Sequence, residues 1–282
     1  MRFWQSLIFA EAEQLNEIAR TADELGYTGV VLPDHVALPE QTESSYPYAE
    51  YDLDPTSAFL DPWPAIASMA AVTQNLLFST YVYVLPMREP FSVAKSLVTT
   101  ARLSQGRVTL GVGVGWLREE IELLGHEFER RGRRTDEMLE VMQMLFEHGV
   151  AELHGECLDF PRVHAQPVAG HPIPIYVGGH SDAAIRRAAR HDGWMGLDFA
   201  VDEVPALMER IRSARREAGR EGEPFEIFLS PRGPADADTY RRLEDLGVTS
   251  VLLPSWAMRG GNFDSLEAKQ RQLEETASAL FG

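Results

Sequence analysis

Leu25-Gly26-Tyr27-Thr28-Gly29-Val30-Val31-Leu32-Pro33-Asp34-His35 begins with a helix stop, continues as a short apolar run and ends at a proline. Upstream, Glu11–Leu25 carries Leu15, Ile18, Ala19, Ala22 and Leu25 at helical spacing, which predicts an amphipathic helix closed by Gly26. Before that helix lies Phe3–Phe9, a second apolar run. Strand, helix, strand at this spacing is a βαβ unit, whose parallel strands are covered on both faces and so read as continuous apolar runs. The device recurs near the other end as Leu246-Gly247-Val248-Thr249-Ser250-Val251-Leu252-Leu253-Pro254-Ser255. Between the two copies, strand candidates fall at Leu76–Leu85, Val108–Val114, Ile173–Val177, Gly193–Leu197 and Phe225–Leu229, with helical patterns between most of them. Eight such strands in 282 residues predict an α/β fold of one domain over residues 1–282, a single (β/α)8 TIM-type barrel. An open doubly wound sheet of this length more often splits in two.

Two stretches break the rhythm. Residues 37–62, after the second strand, are rich in Pro, Tyr, Asp and Glu and include Tyr46, Tyr48 and Tyr51. Residues 150–172 precede the fifth strand and contain several prolines and glycines. Both are expected as insertions on the side where a barrel keeps its chemistry, the second being equally readable as a solvated excursion.

Composition excludes several classes of function. With 26 basic against 43 acidic side chains the chain carries a net charge of −17, which repels a phosphate backbone and argues against nucleic-acid partners. Cys157 is the single cysteine, so no disulfide framework or multi-cysteine metal site is available, and a reduced, cytoplasmic setting fits best. The apolar stretch Phe3–Ala10 is too short to span a membrane and lacks a signal-peptide pattern. No histidine spacing suggests a metal, and no Gly-x-Ser-x-Gly elbow is present.

Barrel chemistry gathers where strands end. Asp34 and His35 follow the second strand, a carboxylate beside the side chain that titrates near neutrality and thus a candidate acid–base pair. Arg88, between Pro86 and Pro90, suits either an anionic ligand or a structural salt bridge. Gly111-Val112-Gly113-Val114-Gly115-Trp116 follows the fourth strand, with Glu119 and Glu120 in the next helix, and its glycines allow a flat ligand close to the backbone. The spacing is not that of a dinucleotide fold, and no Walker lysine is present. After the fifth strand, Val177-Gly178-Gly179-His180-Ser181-Asp182 opens a helix whose free N–H groups suit a phosphate. The cluster Arg130-Arg131-Gly132-Arg133-Arg134 reads as a solvated helix start paired with Glu127, Glu129, Asp136 and Glu137.

In order, Leu32-Pro33-Asp34-His35-Val36, Val84-Leu85-Pro86-Met87-Arg88-Glu89-Pro90, Leu103-Ser104-Gln105-Gly106-Arg107, Gly111–Trp116, Val177–Ser181 and Asp192-Gly193-Trp194 make the chain similar, over nearly its whole length, to the bacterial luciferase-like monooxygenase superfamily. Within it the chain resembles the branch that uses the deazaflavin coenzyme F420. The resemblance implies a barrel pocket that holds the deazaflavin, with Asp34 at its head and its phosphate near Gly178, Gly179, His180 and Ser181. Val177, Gly113, Gly115 and Glu119 would complete the cofactor site. A non-proline cis peptide at Tyr81-Val82 would buttress the ring. His35 would transfer a proton or stabilise charge beside hydride transfer, with Glu120 as the second catalytic residue, and Glu119 or Glu120 would replace the relatives' acid where one is needed. Arg88 and Arg232 would supply positive charge at the mouth.

Trp116 stands where sugar-phosphate-oxidising relatives have an acid, and their substrate-binding lysine is unmatched, which argues against glucose 6-phosphate. Trp116, Tyr46 and Tyr48 suggest a small apolar or aromatic substrate. An FMN-dependent monooxygenase using reduced flavin and O2 is the alternative, and a non-catalytic flavin-binding protein a further one. Relatives usually pair as homodimers, which is the expected assembly.

Overall fold

The computed structural model describes residues 1–48, 53–233, 236–258 and 263–281. Tyr51 lies outside them. The strands are β1 (Arg2–Ser6), β2 (Gly29–Leu32), β3 (Leu77–Thr80), β4 (Tyr83–Val84), β5 (Val108–Gly113), β6 (Val150–His154), β7 (Asp159–His164), β8 (Ile175–Gly178), β9 (Gly193–Phe199), β10 (Glu226–Pro231) and β11 (Ser250–Leu253). The helices are α1 (Leu15–Glu24), α2 (Pro62–Ala70), α3 (Pro90–Leu103), α4 (Arg118–Leu123), α5 (Arg131–His148), α6 (Asp182–Ala188), α7 (Val204–Glu217), α8 (Ala237–Asp245) and α9 (Leu266–Phe281).

β1, β2, β3, β5, β8, β9, β10 and β11 pair in that order, all parallel, and β11 returns to β1 through Trp4↔Leu252 and Gln5↔Leu253. The sheet therefore closes into the expected eight-stranded barrel with helices outside. Alternation along each strand divides the apolar side chains into two layers. Trp4, Val31, Tyr176, Met195, Phe228 and Leu252 fill the barrel, and the rings of Trp4 and Phe228 lie 5.3 Å apart. A larger layer, including Ile18, Leu97, Leu110, Met142 and Ile211, seals the sheet against the helices. In α1, Leu15, Ile18, Ala19 and Ala22 are the buried residues, as the spacing predicts. Among the described residues no helix is long and apolar enough to cross a membrane.

Three expectations change. The first strand ends at Ser6, not Phe9, because the chain turns there and Phe9 adopts φ +58°. The run Leu76–Leu85 is not one strand: β3 stops at Thr80 and β4 resumes at Tyr83, with the cis peptide Tyr81-Val82 between them. The insertion before the fifth barrel strand, β8, is the antiparallel hairpin β6–β7, and it lies along the outer helices instead of over the mouth. Glu137 of α5 accepts the N–H groups of Glu156, Cys157 and Leu158 at its turn, and Phe160 packs on Phe91 of α3 at 4.9 Å. The glycine-containing turn needs an acceptor, and the helix supplies one.

Candidate active site

β2 delivers Asp34 and His35 to the C-terminal rim. Asp34 is buried and accepts the Val84 N–H at 2.8 Å and hydrogen bonds from Nη1 and Nη2 of Arg88, at 2.8 and 2.6 Å. It therefore ties the end of β2 to the end of β4. Arg88, stacked 4.1 Å from the centre of the Tyr83 ring, is the structural salt bridge of the two roles its position allowed, and it brings no free charge to the mouth. Arg232 is likewise paired, with Asp198 and Glu203.

His35 points across the rim to α4. Its Nδ1 lies 2.7 Å from Oε2 of Glu120, while Oε1 of the same carboxyl accepts the N–H groups of Val36 at 2.6 Å and Ala37 at 3.1 Å. Glu120 is 1% exposed, so it lies beneath the site and is sealed from the mouth. Glu119, beside it in the first turn of α4, accepts the N–H groups of Glu43 and Ser44 at 2.6 and 3.0 Å through Oε1. Burial pushes the Glu119 carboxyl up, but the bonds from its own N–H, the Ser44 hydroxyl and the two loop amides outweigh burial and hold it at about 2. The two adjacent acids thus fasten the segment after β2 at two points.

The floor of the mouth is Tyr81, Val82 and Leu197, packed on the cluster that fills the barrel. The Tyr81 hydroxyl donates to Gly196 O at 2.6 Å, and burial pushes the phenol well above its ordinary range. Val82 fits because its neighbours have no side chains: a Cβ at Gly113 would lie 2.5 Å from Val82 Cγ2, and one at Gly178 would lie 2.7 Å from Cγ1. A Cβ at Gly115 would meet Val84 at 2.7 Å. The side chain of Val177 belongs to the outer hydrophobic layer, so only its backbone reaches this region.

Beyond Gly178, Gly179 takes φ +123°, and its carbonyl accepts the Trp194 indole N–H at 2.8 Å. The Ser181 hydroxyl caps α6 through the Ala184 N–H at 3.2 Å. His180 Nε2 accepts the Leu197 N–H at 3.2 Å, which leaves Nδ1 as the protonated nitrogen of the neutral ring. Burial, reinforced by Arg210, holds this histidine below its ordinary pKa.

A chain of rings crosses the rim. Phe59 meets His35 at 4.7 Å, His35 meets Trp116 at 6.2 Å, and Trp116 meets Tyr46 at 5.4 Å. Tyr46 meets Tyr48 at 5.5 Å, and Tyr48 lies 4.0 Å from His180. The insertion after β2 thus brings Tyr46 onto Trp116 and Tyr48 onto the β8 loop. Phe9, which packs on Phe59 at 5.3 Å, and Phe59 itself are wall residues that no sequence pattern singles out: Phe9 lies shortly after β1, and Phe59 lies in the insertion just before α2.

Two arginines of the basic cluster also act here, and are not merely solvated: Arg131 donates to Gly115 O at 3.1 Å, and Arg134 to Pro86 O and Arg88 O at 3.1 and 2.8 Å. They brace the β5 and β4 loops. Their neighbours Arg130 and Arg133 pair with Glu127 and Glu137 as expected. Among the described residues no three His, Cys, Asp or Glu side chains are grouped to hold a metal.

A family model described as luciferase-like monooxygenase matches residues 5–277. An uncharacterised protein of Mycobacterium tuberculosis is 40% identical over 266 residues, 91% of each chain. An F420-dependent glucose-6-phosphate dehydrogenase of Nakamurella multipartita is 25% identical over 284 residues, 95% of this chain and 80% of its own. Monooxygenase RslO1 from Streptomyces bottropensis has a similar solved structure, with TM-score 0.78 and 20% identity over 100% of this chain and 99% of the other, a likeness of fold. A family match running from β1 into α9, on a closed barrel that assembles these strand ends at one mouth, shows that the chain belongs to the luciferase-like monooxygenase family.

Proposed function

We propose that this protein moves a hydride between coenzyme F420 and a small neutral substrate, apolar or aromatic, at the C-terminal mouth of its barrel. The observation that carries the proposal is His35 on the same C-terminal rim as the apolar floor of Tyr81 and Val82, beside the rings of Phe59 and Trp116, with Arg88 and Arg232 already paired. The floor fits a flat ring because Gly113 and Gly178 leave room for Val82, where any Cβ would displace it. F420 supplies a ring carbon that accepts or gives up a hydride.

The chain's own residues do the rest. Tyr81 and Val82 would support the ring, and the phosphate would meet the backbone N–H groups of His180 and Ser181 beside Gly178, the Gly179 N–H being already bonded to Met195 O at 3.2 Å. Asp34 acts through Arg88 and Val84, holding the rim in shape. His35 presents Nε2, which has no partner among the described residues, to the reacting substrate and there holds or moves a proton. Trp116, Tyr46 and Tyr48 exclude water and orient an apolar group. The named dehydrogenase relative supports the coenzyme but not its sugar phosphate. Lys95 donates to Gln166 O and Lys269 pairs with Glu11 and Gln14, so the two lysines of the chain are engaged elsewhere. A homodimer working in the cytoplasm belongs to the same proposal.

The family description favours a second possibility, an FMN-dependent monooxygenase. Anaerobic absorbance titration with F420 and with FMN separates the two. Saturable binding of F420, lost in Gly178→Val with the circular dichroism spectrum unchanged, is expected. Binding of FMN alone would contradict the F420 assignment.

A further inference from the structure

We infer that Glu120 is a positioning residue that sets the tautomer of His35. The inference stands on a count of donors and acceptors at one buried carboxyl. Three groups converge on Glu120: His35 Nδ1 at 2.7 Å from Oε2, and the N–H groups of Val36 and Ala37 on Oε1 at 2.6 and 3.1 Å. A carboxylate has acceptors only, so the ring nitrogen facing it carries the hydrogen. The neutral ring is therefore the Nδ1–H form, and Nε2 is left bare. No group among the described residues bonds to Nε2, and His35 is itself partly exposed at the mouth. Glu120, being 1% exposed, touches neither solvent nor anything bound at the mouth. It acts only through the histidine and the loop backbone.

The consequence is specific. Held this way, His35 offers the mouth a base and hydrogen-bond acceptor, and it becomes a donor there only after taking up a proton. That consequence for the hydride step rests on the proposed role of His35, whereas the tautomer itself does not. Replacing Glu120 by Gln keeps the shape but leaves one acceptor oxygen for three N–H donors. The arrangement that strands no buried backbone donor keeps the amide oxygen on Val36 and Ala37 and turns the NH2 group toward Nδ1. The ring then carries its hydrogen on Nε2, and the mouth meets a donor where it had met an acceptor. His180 provides an internal reference, since its Nε2 accepts the Leu197 N–H and it too is an Nδ1–H ring.

The test is a two-bond nitrogen–proton correlation spectrum of protein selectively labelled with 15N-histidine, without cofactor, at a pH where the rings are neutral. His35→Gln identifies the His35 signals by their loss. The expected result is the Nδ1–H pattern for His35 in the natural protein and the Nε2–H pattern in Glu120→Gln. The Nε2–H pattern in the natural protein overturns the inference, as does an unchanged Nδ1–H pattern in a folded Glu120→Gln. Should that variant not fold, the spectrum of the natural protein still decides. Failure of F420 to bind would refute the proposed function and leave this outcome untouched.

Discussion

His35 and Glu120 form one hydrogen-bonded unit, the first at the mouth and the second sealed below it. His35 and Asp34 were legible in the sequence because a histidine and an acid immediately after a barrel strand stand where such folds do chemistry. Their partners were not, since Arg88 and Glu120 reach them across 54 and 85 residues of chain. Asp34 shows the limit: its residue type suited a ligand, but two Arg88 nitrogens and a backbone N–H occupy its oxygens. If His35 moves a proton, His35→Gln should bind F420 as the natural protein does and lose about 10²- to 10⁴-fold in hydride-transfer rate. Single-turnover absorbance measurements check this. Unchanged rates with every substrate turned over by the natural protein would remove His35 from the reaction.

The segment after β2 is held by the first turn of α4. The sequence places Glu119 and Glu120 in the helix after the fourth strand, and the resemblance implies a cofactor contact for the first and a catalytic role for the second. Only the folded chain shows that Glu119 serves the amides of Glu43 and Ser44 and that Glu120 serves those of Val36 and Ala37. The insertion between α5 and β8 failed differently. Its composition marks a loop, but whether a loop covers the mouth or an outer helix depends on an acceptor such as Glu137, which no local pattern reveals.

The Glu119 clamp has a defined pH window. Its carboxyl is held at about 2 against an ordinary 4.5, so the fastening is complete above 4.5 and fades as pH falls toward 2. The protection of the Glu43 and Ser44 amides, measured against the intrinsic exchange rate at each pH, should therefore fall over that interval before that of the barrel strands. In Glu119→Ala the same amides should exchange quickly at neutral pH. Equal protection in the variant would show that the clamp does not hold the segment.

At the scale of the whole molecule, the eight apolar runs and the repeated helix-stop, strand and proline device were enough to predict a closed barrel. They did not show which residues fill it. Parallel strands covered on both faces carry no alternation to separate inside from outside. Phe228, fully buried in the barrel interior against Trp4 and Tyr81, shows what that filling contributes. Phe228→Ala should cost about 3–5 kcal/mol in a urea unfolding experiment. A loss below about 1 kcal/mol would mean that the interior does not support the sheet. The charge of −17 takes on a more specific meaning too, because Arg88 and Arg232 at the rim are committed to acids of the protein itself, which supports the neutral substrate proposed above.

A crystal structure of the protein with F420 tests the central claim most directly. The deazaflavin is expected to lie on Tyr81 and Val82 with its phosphate at Gly178–Ser181 and His35 Nε2 facing the open side of the ring. F420 bound away from Val82, or its reactive face turned from His35, would contradict the proposed site.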